Sequence, residues 1–210
     1  MLPSIIAKTI AFDIDDVLLN WLDSFIAFHN KFYGTRLTRG DFKRYSVADT
    51  LKVGLREEFA RILKFEATDY FRQMPALEGA AEGLAELRQY LDSSRRFISV
   101  TSRSKGTESI TKRLIELYFP GMFLNKDIFI AGCARNSGKD GFRPKSGICL
   151  ENNVGIVVED SLANAIELTC TGIHVVLFRH PTNQYEFRHP LIHRAESWPE
   201  IVDRVKMLAD

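Results

Sequence analysis

The stretch "AFDIDDVLLNW", Ala11 to Trp21, decides how this chain is read. An apolar run ends in Asp13, Asp15 and Asp16 and then turns apolar again. Carboxylates crowded beside a hydrophobic strand repel one another and resist burial. Two explanations are open at this point. The acids are solvated turn residues that cap a helix, or they hold a cation and do chemistry.

Working outward, further short apolar runs rich in Ile, Val and Phe read as buried strands: "FISV" at 97–100, "IFIA" at 128–131, "VGIVV" at 154–158 and "IHVVLF" at 173–178. Helical spacing separates them. Ala80, Leu84, Leu87 and Leu91 predict one helix face, Ile110, Leu114, Leu117 and Tyr118 a second, and Leu162, Ile166 and Thr169 a third. "WPEIVDRVKML" predicts a closing helix, and the tail from Arg179 to Ala195 reads as irregular. Alternation of this kind predicts an α/β fold: a Rossmann-like, doubly wound, mostly parallel sheet covered on both faces. Residues 20–75 break the pattern. They hold no convincing strand and read as helices, "WLDSFIAFHNKFYG" ending at Gly34 and "LREEFARILKFEA" later. The expected organisation is a core of 1–19 and 76–210 with a small helical cap, 20–75, inserted after the first strand.

Bulk properties narrow the classes. The chain has 210 residues, 45% hydrophobic and 26% charged, ordinary values for a folded domain. A formal net charge of +1 gives no global field for a nucleic acid polymer or a membrane surface. No apolar run is long enough to span a bilayer, and the N-terminus lacks the pattern of a signal peptide. Cys133, Cys149 and Cys170 show no paired spacing, so reduced thiols acting as small apolar fillers in a cytoplasmic protein are expected. His180, His189 and His193 raise a metal-site reading, but Pro190 interrupts their spacing and solvated loop histidines are the expectation.

The strand endings carry the chemistry. One ends in Asp13-Ile14-Asp15, one in Thr101-Ser102-Arg103 and one in Glu159-Asp160-Ser161. In a parallel sheet these lie along one rim, where ligands bind. Several carboxylates there suit a hard cation such as Mg2+, which takes oxygen ligands and phosphate. Asp13 could then attack phosphorus, and Asp15 could protonate the leaving oxygen and later deprotonate water. Thr101 and Ser102 offer hydroxyls to phosphate oxygens, although helix capping explains them equally. Lys145 follows Pro144 at an expected helix start, where a cation opposes the helix dipole unless an anion is near.

Taken in order, "DIDDVL" at 13–18, "VTS" at 100–102, Lys145 and "VVEDS" at 157–161 resemble the motifs of the haloacid dehalogenase-like superfamily of phosphotransferases. The resemblance extends over the whole chain and includes an insertion directly after the first motif. It implies Asp13 as nucleophile and metal ligand, and Asp15 as acid/base with its backbone carbonyl on Mg2+. It further implies Thr101 and Lys145 on the phosphate, and Asp160 with Glu159 completing the metal site. The dehalogenase branch lacks the second aspartate, so Asp15 favours phosphate chemistry. Asp16 stands where Gly is frequent, and Glu159-Asp160 where two aspartates are.

The entry "DIDDVLLNWLDSFIAFHNKFYGTRLTRGDF" and the return "FRQMPALEGAAEGLAELRQY" are similar to those of 5'(3')-deoxyribonucleotidases. That implies a base stacked on Trp21, with Tyr70, Phe71 and Arg72 as further candidates; the competing reading is that the aromatics form the cap's own core. The expected function is a Mg2+-dependent nucleotidase. Alternatives are a phosphatase or phosphomutase for a sugar or other small metabolite, and a non-catalytic binding module. The oligomeric state is open, a homodimer included. "GCARNSGKD", 132–140, misses the P-loop spacing and lacks Ser or Thr after its lysine, leaving Lys139 only as a fallback phosphate ligand.

Overall fold

Side chains alternate across a strand, and here the alternation supplies two separate cores. In β1 (Thr9–Phe12) and β4 (Val154–Glu159), Ile10, Phe12, Ile156 and Val158 enter one cluster, while Ala11 and Val157 enter the other. This computed structural model describes residues 9–43, 46–132 and 143–210. The sheet is completed by β2 (Arg96–Thr101), β3 (Ile128–Ile130), β5 (His174–Phe178) and β6 (Ile192–Ala195). Every pairing is parallel and the order is β3-β2-β1-β4-β5-β6. The order of strand addition reverses between β1 and β4, which is where doubly wound folds open a binding crevice.

Helices α5 (Ala80–Tyr90), α6 (Glu108–Tyr118) and α9 (Trp198–Ala209) cover the first face, and α7 (Lys145–Glu151) and α8 (Leu162–Thr169) the second. Gly83 of α5 lets α9 approach: a Cβ there would meet Trp198 Cε3 at 2.4 Å. The Trp198 ring stacks on Phe12, and its Nε1 donates to the Val17 carbonyl at 3.1 Å, bracing the loop that follows β1.

Between β1 and β2 the described residues form helices and no strand: α1 (Trp21–Tyr33), α2 (Val47–Leu51), α3 (Leu55–Glu66) and α4 (Asp69–Arg72). The α1 start is capped by the Asn20 side chain, and Gly34 ends it in the left-handed conformation, φ 62°. Phe25, Phe28, Phe65 and Phe71 are buried between these helices. The outgoing and returning chains run side by side, with Asn20 N–H donating to Pro75 O (3.0 Å) and Leu77 N–H to Leu18 O (2.8 Å).

Three expectations need correction. Residues 179–195 are not wholly irregular, because 192–195 add the edge strand β6; four residues with one charge and one histidine carry little periodic signal. On α6, Leu117 is exposed and Ile115 is buried in its place. On α8, Ala165, Leu168 and Thr169 face inward, while Ile166 is 40% exposed. Among the described residues no helix is long and apolar enough to cross a membrane. Cys149 is buried as expected of a filler, and burial pushes its thiol up to about 12; Cys170 is exposed. Cys133, the near P-loop and Lys139 lie outside the described residues, apart from the loop's Gly132.

Candidate active site

Asp13 follows β1 directly, and its N–H still donates to Val158 O at 2.9 Å, so the sheet ladder fixes its backbone. Its Oδ1 accepts from Ile14 N–H at 2.7 Å and its Oδ2 lies 2.8 Å from Lys145 Nζ. Lys145 opens α7 on the neighbouring segment and is also 2.8 Å from Glu159 Oε2. Glu159 ends β4, is fully buried, and spends Oε1 on Ser161 N–H and Asn164 Nδ2, both at 3.1 Å. Asp160 comes next along the rim, and its carbonyl accepts from the buried Asn183 amide at 2.7 Å.

These groups shift one another. Burial, then Glu159, raises the Asp13 carboxyl well above its ordinary range; burial, then Glu159, Asp13 and Asp16, does the same to Asp160. Burial opposes the Lys145 ammonium, but the adjoining Asp13 and Glu159 carboxylates outweigh it and hold the lysine charged. Burial also opposes the Glu159 charge, and Lys145 with the Asn164 and Ser161 donors wins there. Donor oxygens of Asp13, Glu159 and Asp160 lie within 4.8 Å of one another, and such a crowded, all-oxygen set fits a hard divalent ion such as Mg2+. Asp15 is placed otherwise. Its carboxylate turns to Arg103.

A cavity of about 430 Å³ opens between this rim and the helices of 21–72. Asp13, Asp15, Trp21, Thr101, Ser102, Lys145 and Asp160 all line it; Glu159 does not. Thr101 is buried at the end of β2 and its Oγ1 accepts from Arg103 N–H, while Ser102 is exposed. Trp21 has one ring face stacked on Phe25, centroids 4.9 Å apart. Phe71 also lines the cavity, but Tyr70 and Arg72 do not: Tyr70 packs on Phe28 and Phe32, and Arg72 is exposed.

Several residues here carry no mark in the sequence. Arg103 is buried against Asp15, Thr111, Met74 and the Phe71 ring; only its place after "VTS" hints at a role. Ser104 Oγ donates to Glu66 at 3.2 Å, joining β2's loop to α3 across the cavity, and burial raises the Glu66 carboxyl. The histidine expectation fails for two of three. His180 is buried beside Asp16 and Asp160, and His193 sits in β6 with its Nε2 3.0 Å from His174 Nδ1.

No protein-family model matches the chain, and no curated protein matches it either. Solved structures do. A candidate phosphoglycolate phosphatase of Lactobacillus delbrueckii subsp. bulgaricus is 16% identical over 95% of this chain and 98% of its own, with TM-score 0.64. A HAD family hydrolase of Deinococcus radiodurans, solved with phosphate and sodium, is 17% identical over 96% of each chain, TM-score 0.61. CbbY of Rhodobacter sphaeroides, solved with xylulose 1,5-bisphosphate, is 15% identical over 92% of this chain and 96% of its own, TM-score 0.57. The α/β fold of this chain is therefore the one shared by HAD-superfamily hydrolases.

Proposed function

We propose that this chain is a Mg2+-dependent phosphomonoesterase acting on a small phosphorylated metabolite through a phosphoenzyme on Asp13. One observation carries the reading: Asp13, Lys145 and Asp160 come from three distant segments and line one cavity at the point where the strand order reverses. When bound, Mg2+ would supply charge neutralisation for the phosphate, and Asp13, Asp160 and the Asp15 carbonyl are the groups to hold it. Glu159, tied to Lys145, positions the lysine and stands by as a further oxygen donor.

In the proposed reaction an Asp13 oxygen attacks phosphorus as the bond to the substrate oxygen breaks. Asp15, having taken up a proton from solvent before the attack, gives it to that oxygen, and the alcohol leaves. Asp15, now a carboxylate, takes a proton from water; the water oxygen attacks phosphorus, freeing inorganic phosphate and Asp13. Thr101, Ser102 and Lys145 hold the phosphate oxygens.

Similarity to a candidate phosphoglycolate phosphatase and to a protein solved with a sugar bisphosphate favours a sugar or other small-metabolite phosphate. A nucleoside monophosphate is the second reading, favoured by Trp21, Phe42, Phe59 and Phe71 along the cavity. A panel of phosphomonoesters, assayed for Mg2+-dependent phosphate release, tests both. Release by the wild type and none by Asp13→Asn is expected. A wild type inert toward every ester would instead make this a binding module.

A further inference from the structure

We propose that the cavity selects the phosphate ester of an amino alcohol: Glu66 receives the protonated amine, and an ester whose alcohol part carries a second anionic group is rejected. The inference rests on the function proposed above and names the substrate class of that same site.

The cavity has two unlike walls. One is the rim of the sheet, already given to the phosphate. The other comes from the segment between β1 and β2. There Trp21, Phe42, Phe59 and Phe71 are joined by Glu58 and Glu66, and by no lysine, arginine or histidine among the described residues. The cations of the rim are committed elsewhere. Arg103 Nη2 lies 2.6 Å from Asp15 Oδ1, and Lys145 Nζ lies 2.8 Å from both Asp13 Oδ2 and Glu159 Oε2. A divalent ion and a phosphate dianion cancel one another, so the acidic wall is left facing the alcohol part of the substrate. A second carboxylate or phosphate there would lose its water and meet like charge. An ammonium would meet opposite charge and aromatic rings, whose faces attract cations.

Glu66 stands where that alcohol begins. It ends α3, and its Oε2 accepts from Ser104 Oγ at 3.2 Å. Ser104 follows Arg103, which holds Asp15, the group proposed to protonate the leaving oxygen. Burial raises the Glu66 carboxyl, and Asp15 is near enough to add to the rise; Arg103 is the weakest influence on it. Among the described residues Glu66 has no ion pair, so a half-buried carboxylate faces the cavity without a cation of its own. The cation that completes it arrives with the substrate. Glu58, 2% exposed, lies about two turns back along α3, roughly 12 Å away, and keeps the far end of the wall acidic.

Three two-carbon esters test this, because they differ at the far end of the alcohol. Ethanolamine phosphate carries an ammonium there, ethyl phosphate a methyl and phosphoglycolate a carboxylate. Their binding to full-length Asp13→Asn with Mg2+, measured by calorimetry, needs no turnover. Ethanolamine phosphate should bind tightest and phosphoglycolate weakest, about 10-fold or more apart. Adding Glu66→Gln, which keeps an acceptor for Ser104, should collapse that spread. Equal binding, the opposite order, binding of none of the three, or an order unmoved by Glu66→Gln overturns the proposal. Phosphate release by the wild type separates this from the function proposed above. The expected order without release from any ester would spare the amine site and sink the phosphomonoesterase; release with phosphoglycolate preferred would do the reverse.

Discussion

Arg103 grips Asp15: Nη2 lies 2.6 Å from Oδ1, and Nε 3.1 Å from both carboxylate oxygens. The arginine is itself fixed by Thr111, by Met74 and by the Phe71 ring below it. The group proposed to move the proton is thus aimed by a buried cation from the end of β2. Asp15→Asn should lower kcat about 10²–10⁴-fold with inorganic phosphate inhibiting almost as before. Arg103→Lys keeps the charge but loses the two-pronged grip, so kcat should fall more than KM rises. Unchanged kcat in both would remove Asp15 from the reaction.

Lys145 lies between two buried acids, so Lys145→Met leaves carboxylates without their counterion. Removing one partner of a buried ion pair costs roughly 3–5 kcal/mol, and the melting temperature should drop accordingly. A divalent cation restores the balance, so Mg2+ should raise the variant's melting temperature more than that of the wild type. Equal shifts would place the ion elsewhere.

His29 gives the helical insert a pH dependence. It is wholly buried between Thr35 and Arg61, and burial, then Arg61, lowers its pKa from 6.5 to about 4. The unfolded chain therefore binds the extra proton first. Its contribution is fully present above pH 6.5 and is lost as pH falls toward 4. Melting curves across that window should slope less in His29→Gln than in the wild type.

Gly83→Ala should destabilise, against helix propensity. Alanine in a helix interior is better than glycine by about 1 kcal/mol, but this Cβ would strike Trp198 at 2.4 Å. Overpacking of that kind costs roughly 1–3 kcal/mol. Denaturant unfolding decides the sign, and a stabilised variant would mean that α9 shifts freely.

Much of the core was legible in the sequence because the signals are local. Five of the strands are short apolar runs, "FISV" and "VGIVV" among them, and strand–helix alternation leaves a parallel sheet as the economical way to bury them. The order of DxD, Thr101, Lys145 and Glu159-Asp160 marked the rim, since strand ends in such a sheet share one edge. Side-chain direction was not legible. Nothing in "VTSRS" says that Arg103 turns inward onto Asp15, nor does "FRHP" say that His180 meets Asp16, because each partner lies far off in the chain. Composition and periodicity determined which segments fold and which ends carry acids; only tertiary packing decided which charges pair, because burial sets the strength of a charge and burial is a property of the assembled layers.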